Sequence, residues 1–436
     1  MPCFPATIMS LFAMNKSLRI VAAFSVALVS GSLFAQSNSR DLGDVVIAAN
    51  LKTIPVTVSG STPELNTLAK LAFGAHGRFR LVSTGGSFDI KFTEVASNQV
   101  QVTVIKKGSR LSVETQSASG KTLTSEAPAS GGLVVLNQVV QGTSARNALF
   151  RAADLAVTAT SGLKGIFASR LAFISEYSGK SEVFTGDLFF GEVRQITKDN
   201  AQALRPRWSP DGSKILYTSF YKSGFPDIFM LDLNSLQRTT FVSFKGTNSG
   251  ARFSPNGSQV AMVLSGEGNP EIYVSNAQGR GVARRTRTSS VEASPAWSPD
   301  GSRLLFTSDS AGGPQLYIMP AGGGTGQRVP TSISGYCAEP DWSVGDPNKI
   351  AFTARIGRGY QIAVYDMAKR TPATAVSKAP VDAVEPAWLA DGRHLVYTER
   401  AANSRSICLL DTETGKTTRL SPAQLRQTSQ ASVKAP

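Results

Sequence analysis

A short motif recurs five times in the second half of the chain and constrains its fold more than any other feature. Its fullest form, Trp-Ser-Pro-Asp-Gly, occurs at residues 208–212 and 297–301. The leading aromatic recurs at spacings of 45, 44, 45 and 46 residues, and all four tryptophans of the protein occupy this position. A period of this length with turn residues at a fixed offset is typical of β-propeller blades. The aromatic positions are Trp208, Phe253, Trp297, Trp342 and Trp388.

Each repeat shows the order of strands expected for one blade. The Ser-Pro-Asp-Gly segment predicts a turn, because proline presets φ, aspartate bonds the backbone ahead and glycine accepts the left-handed conformation. An apolar, β-branched or aromatic run follows, as at residues 214–218 and 303–307, and then a polar loop and a second such run. About 45 residues therefore form one four-stranded blade. We expect the aromatic side chain to pack between neighbouring blades, which is a structural role and not a catalytic one.

The count of strands indicates six blades over residues 165–424. Five strands carry the aromatic and its turn, but six sets of the later strands are present, and the extra set begins at residues 170–174. The first blade must therefore obtain its missing strand from elsewhere. The C-terminal tail, residues 425–436, is the natural donor because closure of the ring removes exposed strand edges. The last nine residues contain no aromatic, so the sequence leaves the mode of closure open.

Residues 36–164 have a different pattern, which predicts a small N-terminal α/β domain. Thr62 and Ser144 are positioned to cap two amphipathic helices, and alternating segments between them predict strands. The first helix has one apolar face, formed by Leu65, Leu68, Leu71 and Ala72. The predicted fold class is therefore an α/β N-terminal domain followed by an all-β six-bladed propeller.

The first 35 residues predict a secretory signal peptide. Lys16 and Arg19 precede an apolar run over residues 20–34, which is too short to span a bilayer comfortably and ends at a small residue. The basic start follows Met14 directly, so Met14 is an alternative start of translation. We expect an exported protein.

The net charge and the cysteines of the mature chain limit the classes of partner that we expect and the state of its thiols. Removal of Lys16 and Arg19 lowers the net charge from +14 to +12. A basic exported protein can meet anionic glycans, lipid headgroups or an acidic partner, and solvated loop charge is the plain alternative. Nucleic acid is not expected as a partner after export. Cys337 and Cys408 lie in different repeats at different positions, which favours two buried free thiols.

The junction between the two predicted domains carries a resemblance to a known family. It runs from Ala152-Ala-Asp154 to Gly162-Leu-Lys-Gly-Ile-Phe167. Together with the repeats and the leader, it resembles the TolB family of exported bacterial proteins, in which a similar helix runs into "KGIF" and then the first propeller strand. The resemblance covers nearly all of the mature chain.

This resemblance implies a periplasmic component of the Tol-Pal envelope system, peripheral to the membrane at most. Its propeller would bind the peptidoglycan-associated lipoprotein Pal, and its N-terminal region would engage an inner-membrane protein such as TolA. The implied role is the integrity of the outer membrane and constriction of the envelope at division. The polar segment over residues 36–41 is only broadly similar to the partner-binding arm of the family.

The innermost strand of each blade places charged residues at one mouth of the channel. In a propeller the strand before the motif turn lies innermost, so residues that flank its proline–aromatic step line this mouth. Arginines occur there in two early blades and acids in two late ones, which suits a protein partner; a solvated rim is the alternative. The predicted partner-binding residues are Arg205, Arg207, Arg252, Glu339, Asp341 and Glu385.

A propeller enzyme is the rival interpretation. Metal-dependent polysaccharide lyases need several histidines, and the chain has two, His76 and His394. We expect His394 to be a surface residue, because the equivalent strands begin with Lys, Arg or a polar residue. The peptidase pattern G-x-S-x-G is absent, and the glycine-rich segment 321–326 is not followed by a helix that could bind phosphate. We predict a non-enzyme without cofactor or metal; the alternative among binding proteins is a propeller that holds a surface glycan or a matrix protein.

Overall fold

The described chain consists of an N-terminal α/β region and a six-bladed β-propeller, which confirms the predicted fold class. The structure is a computed structural model that describes residues 53–108, 111–116, 122–127 and 132–436. The predicted signal peptide and the segment over residues 36–41 lie outside these residues. In the described parts of the chain, no helix combines the length and the apolar character needed to cross a bilayer.

The N-terminal region is built on a mixed five-stranded sheet of order β2-β1-β3-β4-β7. Strand β1 is parallel to both β2 and β3, whereas β3, β4 and β7 are antiparallel, and β5 and β6 form a separate hairpin. The elements are β1 (Ile54–Gly60), α1 (Pro63–Ala75), β2 (Phe79–Leu81), β3 (Phe88–Ala96), β4 (Gln99–Lys106), β5 (Leu111–Gln116), β6 (Thr122–Ala127), β7 (Leu133–Gln141) and α2 (Ala145–Ser161).

Both helices begin at residues with capping side chains, and α2 also ends at a residue suited to its position. The Thr62 hydroxyl accepts a bond from the Leu65 amide (3.2 Å), and the Ser144 hydroxyl accepts one from the Asn147 amide (3.0 Å). These bonds satisfy amide groups that have no partner inside a helix. Helix α2 ends at Gly162, whose φ of 72° is the left-handed conformation that glycine adopts without strain.

The propeller contains six sheets of four antiparallel strands each. Blade one contains β8 (Arg170–Ser175), β9 (Glu182–Asp187), β10 (Arg194–Gln195) and the last strand of the chain, β31 (Thr428–Lys434); blade two contains β11 (Ala203–Trp208), β12 (Lys214–Ser219), β13 (Asp227–Asp232) and β14 (Arg238–Val242). Blade three contains β15 (Asn248–Phe253), β16 (Gln259–Leu264), β17 (Glu271–Asn276) and β18 (Ala283–Arg284); blade four contains β19 (Glu292–Trp297), β20 (Arg303–Ser308), β21 (Gln315–Pro320) and β22 (Gln327–Arg328). Blade five contains β23 (Cys337–Trp342), β24 (Lys349–Ile356), β25 (Gly359–Asp366) and β26 (Thr374–Ala375); blade six contains β27 (Asp382–Trp388), β28 (His394–Arg400), β29 (Arg405–Asp411) and β30 (Thr417–Arg419).

The C-terminal tail closes the ring. Strand β31 pairs antiparallel with β8, from Thr428 opposite Ser175 to Lys434 opposite Arg170. It supplies the innermost strand that blade one lacks in the N-terminal part of the propeller. The propeller sheet of blade one therefore extends past residue 424 into the tail, the expected donor of this strand. The closing strand carries no aromatic, and Val433 stands in the register position that the motif aromatic takes in other blades.

The five motif aromatics lie between successive blades. Trp208, for example, packs with Ile174 and Val183 of blade one and with Ile215 of its own blade. The other four occupy the equivalent clusters between blades two and three, three and four, four and five, and five and six. Each aromatic therefore contributes to the contact between two sheets, which large side chains suit because they bury the most apolar area.

The N-terminal region packs on the propeller face where the motif turns lie. Phe73 of α1 and Phe167 of the junction stack edge to face at 5.5 Å, and Phe167 lies 6.1 Å from Phe189 of blade one. The same apolar cluster includes Leu389, in the motif turn of blade six. The core of the N-terminal region is thus continuous with blades one and six, and the described residues of this region leave the opposite face of the propeller uncovered.

Candidate functional site: the channel mouth

A repeated backbone distortion shapes the channel mouth. Each of the six innermost strands has one extra residue relative to its partner strand, and this residue has a positive φ. A bulge of this kind bends the strand and re-aims the neighbouring side chains. The left-handed residues, with φ between 51° and 64°, are Arg205, Gly250, Ser294, Glu339, Glu385 and Gln430.

Side chains at the bulges connect consecutive blades. The Glu339 carboxylate of blade five accepts a bond from the Glu385 amide of blade six (3.2 Å). The Gln430 side chain of blade one donates to the Glu385 carboxylate (3.1 Å) and accepts a bond from the Arg205 amide of blade two (2.7 Å). These bonds brace the mouth at the point where the ring closes.

A second set of contacts joins blades that are not neighbours. Arg252 of blade three forms an ion pair with Asp341 of blade five, with 2.7 Å between Nη2 and Oδ1. The other Asp341 oxygen accepts a bond from the Trp388 amide of blade six (2.7 Å). Arg205 of blade two reaches the Ser294 hydroxyl of blade four at 3.4 Å. The charges at the mouth therefore contact one another as well as solvent.

Burial changes the ionisation of two residues at the mouth. Burial and the neighbouring Glu385 carboxylate raise the pKa of Glu339. Burial and the positive charge of Arg252 lower the pKa of Arg207 to about 9. Both shifts disfavour the charged form, as expected for ionisable groups withdrawn from water beside a like charge.

The space between these side chains is small. The cavity lined by the bulge residues has a volume of about 40 Å³, which accommodates a few ordered water molecules. Pockets for organic ligands are roughly ten times larger. The arrangement suits a rigid rim that presents charge and loops to a partner, and not a pocket for a small substrate.

Exposed aromatics surround the mouth on the side of blades one and two. Ala203 pairs with Ser219, and Ser219 with Asp227, so the loop from β12 to β13 lies on the same face as the start of β11. This loop and the neighbouring β8–β9 and β14–β15 loops carry large aromatic side chains that are 49–68% exposed. They are Tyr177, Tyr221, Phe225 and Phe244.

The structure brings most of the predicted site residues together. Arg205, Arg207, Arg252, Glu339 and Glu385 line the mouth, whereas Asp341 lies behind it in contact with Arg252. Sequence reasoning missed three members of the ring, Gly250, Ser294 and Gln430. The period itself could have found Gln430, which follows Glu385 by 45 residues.

The expectation for His394 is wrong. The sequence suggested a surface residue, but the His394 side chain has no exposed surface. The N-terminal region covers the motif turn of blade six, and the imidazole Nε2 contacts the carbonyl oxygen of His76 at 2.6 Å. This contact joins residues 318 positions apart, which a local pattern does not report.

The family assignment follows from the propeller sequence. The family described as the PD40 TolB beta propeller domain matches residues 157–433. The chain belongs to the TolB β-propeller family. The matched range includes the second part of the junction, from residue 157, and all but the last residue of the closing strand β31.

Named relatives and a solved structure agree with this TolB assignment. The chain is 37% identical over 127 residues to the "Tol-Pal system protein TolB" of Desulfosudis oleivorans, covering 29% of this chain and 28% of the relative. It is 28% identical over 270 residues to the "Protein TolB homolog" of Chlorobium chlorochromatii, covering 59% and 60%. The crystal structure of TolB from Acinetobacter baumannii superposes with a TM-score of 0.74 at 22% identity, over 88% of this chain and 96% of that one. The sequence matches span about a quarter to three fifths of the relatives' length, and the structural match supports the shared fold.

Proposed function

We propose that the protein is a non-catalytic periplasmic scaffold of the Tol-Pal system that binds the lipoprotein Pal through the channel-mouth face of its propeller. The observation that carries the proposal is the mouth face with its exposed aromatics, which no described part of the N-terminal region covers, in a chain of the TolB family. The N-terminal region would provide the link to an inner-membrane protein such as TolA. The assembly would serve outer-membrane integrity and envelope constriction at division.

The two faces of the propeller differ in their availability. Contacts from the N-terminal region fall on the motif-turn face: Arg146 pairs with Asp187 (3.1 Å), and the His394 ring bonds the His76 carbonyl. The mouth face lies at the other end of every strand. A partner of the propeller can therefore bind at the mouth without displacing the N-terminal residues that the structure describes.

The aromatic loops of blade two have the properties of an interface anchor. Phe225 is 68% and Phe244 is 53% exposed. Their loops are held together by Asn248, whose side chain donates to the carbonyls of Pro226 (3.2 Å) and Phe244 (2.7 Å). Large aromatics on a pre-organised surface carry most of the binding energy in many protein interfaces, because little freedom is lost on binding.

The charged residues at the rim are less suitable for a first test. Arg252 forms an ion pair with Asp341 inside the channel. Replacement of Arg252 by an acidic residue would therefore leave Asp341 beside a second carboxylate. Loss of Pal binding in such a variant could result from distortion of the mouth. Substitution of the exposed aromatics avoids this problem, because their side chains point into solvent.

The test compares two variants for binding of the soluble domain of Pal by titration calorimetry. Phe225→Ser combined with Phe244→Ser removes the anchor; Val344→Ser is the matched control, since Val344 is 70% exposed but lies in the motif turn of blade five, on the opposite face. We expect the double variant to lose at least about 2 kcal/mol, a factor of about 30 in Kd, and the control to bind like the wild type.

The outcomes separate the alternatives. Equal affinity of the double variant and the wild type would contradict the assignment of the mouth face. No Pal binding by the wild type, together with retention on purified peptidoglycan that depends on the two phenylalanines, would support the glycan-binding alternative. Similar melting temperatures of the wild type and the two variants would establish that the variants fold.

A further inference from the structure

The only two histidines of the sequence meet where the N-terminal region contacts blade six. His76 follows α1, and His394 begins β28. Their ring centroids are 4.3 Å apart, and both side chains are completely buried. Two imidazoles brought together across 318 residues are an unusual use of a residue that the chain otherwise lacks.

The surroundings of His394 fix the orientation of its ring. Nε2 lies 2.6 Å from the carbonyl oxygen of His76, so this nitrogen carries a hydrogen and donates it. Nδ1 faces Asp391 Oδ2 at 2.5 Å. The other oxygen, Oδ1, accepts bonds from the amides of Arg393 (3.1 Å) and His394 (3.0 Å). Donation of one ring N–H to a backbone carbonyl is the usual way in which proteins orient a metal-binding histidine.

His76 supplies the second, independent observation. Neither of its ring nitrogens has a hydrogen-bond partner among the described residues, although the side chain has no exposed surface. The rings of Phe79 and Phe167 lie at 5.0 and 5.6 Å and offer no acceptor. An unpartnered buried polar group destabilises the fold and is rare in folded proteins. The site therefore contains a buried ring nitrogen without a hydrogen-bond partner among the described residues, which indicates that a ligand binds there.

We propose that His76, Asp391 and His394 bind one zinc ion that joins the N-terminal region to blade six. One ligand atom from each residue lies within 4.8 Å of the others. Tetrahedral zinc requires ligand atoms about 3.3 Å apart, given bonds of about 2.0–2.2 Å, so the side chains need to move by about 1.5 Å at most. The ion takes the place of the hydrogen between His394 Nδ1 and Asp391 Oδ2, which is released to solvent, and a water molecule completes the tetrahedron.

The donor set selects the class of metal. Two imidazole nitrogens and one carboxylate suit zinc and its first-row neighbours, whereas calcium and magnesium prefer oxygen ligands alone. The supporting contacts are already in place, since the His76 carbonyl orients His394 and two amides hold Asp391. We expect a structural ion, because its ligands come from a buried contact between two parts of the fold.

The experiment uses the tag-free full-length chain, because an affinity tag of histidines would bind metal itself. The protein is unfolded with a chelator, refolded either with equimolar zinc or with the chelator, and desalted. Refolding gives the ion access to a site that is closed in the folded chain. Bound zinc is measured by mass spectrometry, cobalt replaces zinc as a spectroscopic probe of tetrahedral ligation, and the melting temperature is recorded with and without zinc.

Two variants make the test specific. His76→Phe removes one ligand and fits a pocket lined by Phe79 and Phe167. Asp300→Asn is the matched control, because Asp300 accepts a bond from the Ser302 amide (3.0 Å) in the equivalent turn of blade four, without a histidine. We expect one zinc per wild-type chain, a higher melting temperature with zinc, and zinc affinity at least about tenfold weaker in His76→Phe.

Three results would overturn the proposal. They are substoichiometric zinc in the refolded wild type, unchanged zinc affinity in His76→Phe, and loss of zinc from Asp300→Asn. The cobalt spectrum distinguishes a site with imidazole ligands from binding at the two described cysteines, Cys337 and Cys408, because thiolate ligation adds intense charge-transfer bands. Equal melting temperatures of the metal-free wild type and His76→Phe would show that the variant folds.

Discussion

Glycine at position 165 is required because helix α2 leaves no space for a side chain there. A Cβ atom added to Gly165 would lie 2.2 Å from Cβ and 2.5 Å from Cα of Asp154, whereas ordinary contacts begin near 3.4 Å. The junction would have to retreat from the helix by about 1.2 Å. Since one of the colliding atoms belongs to the helix backbone, no change of rotamer relieves the clash.

The size of the effect follows from what the retreat would break. The Asp154 carboxylate accepts bonds from the amides of Phe167 (2.6 Å) and Ala168 (3.1 Å). A displacement of about 1.2 Å would stretch both beyond bonding distance. Overpacking costs about 1–3 kcal/mol, and the two bonds contribute about 0.5–1.5 kcal/mol each. We therefore expect Gly165→Ala to lower the free energy of unfolding by about 2–6 kcal/mol.

Gly162→Ala is the matched control in the same junction. Gly162 has a φ of 72° and no atom within 4 Å of an added Cβ, so this variant incurs only the cost of a left-handed alanine, about 1 kcal/mol. Urea unfolding followed by tryptophan fluorescence, which reports on the blades, and by far-UV circular dichroism measures both variants. The steric argument would be refuted if Gly165→Ala were no more destabilising than Gly162→Ala, or if Asp154→Ala restored its stability, since the Cβ and Cα of residue 154 remain in that variant.

Two further substitutions test the blades and the ring closure. Burial raises the pKa of Glu292 to about 7, so its stabilising contribution is present below the usual carboxyl pKa and is lost as pH rises through about 7. Glu292→Gln should therefore gain stability relative to the wild type between pH 5 and pH 8.5, by up to about 3 kcal/mol, and a melting-temperature difference independent of pH would contradict this. Gln430→Ala leaves the Arg205 amide without its acceptor and should cost about 1–3 kcal/mol in urea unfolding; an unchanged midpoint would argue against this closure of the ring.

The propeller could be predicted from the sequence because its signal is local and repeated. The turn residues follow the aromatic at a fixed offset, and the aromatic itself contacts the preceding blade, so one short pattern encodes both a turn and a packing position. Trp208 and Trp388 illustrate this with contacts on both sides. The charged residues before the aromatic were found for the same reason, since their positions repeat with it.

The parts that the sequence missed depend on contacts between distant segments. Val433 replaces the aromatic in β31 and packs against the large apolar cluster that blades one and six share with the N-terminal region. His394 starts a strand like its counterparts, and only the covering of that turn by His76 buries it. The sequence predicts Asp341 as a charged residue of the rim, but its ion pair with Arg252 holds its side chain inside the channel. In each case the local sequence does not report the burial or the contacts of the residue, because these depend on a segment that is distant in the chain.

The two ends of the blades carry different kinds of sequence constraint. At the motif-turn end, blades one and six pack against the N-terminal region in one apolar cluster. Gly165 of the junction and the two buried histidines allow the close contacts at this end. At the mouth, the bulge side chains bond one another, which fixes the rim and leaves the exposed loops as the surface that can vary. A partner that binds at the mouth therefore recognises chiefly the loops of particular blades. Phe225 and Phe244 have no apolar counterpart of similar exposure in the mouth-face loops of blades three to six within the described chain. The propeller, although pseudo-sixfold, therefore presents its exposed apolar surface on one side of the mouth only.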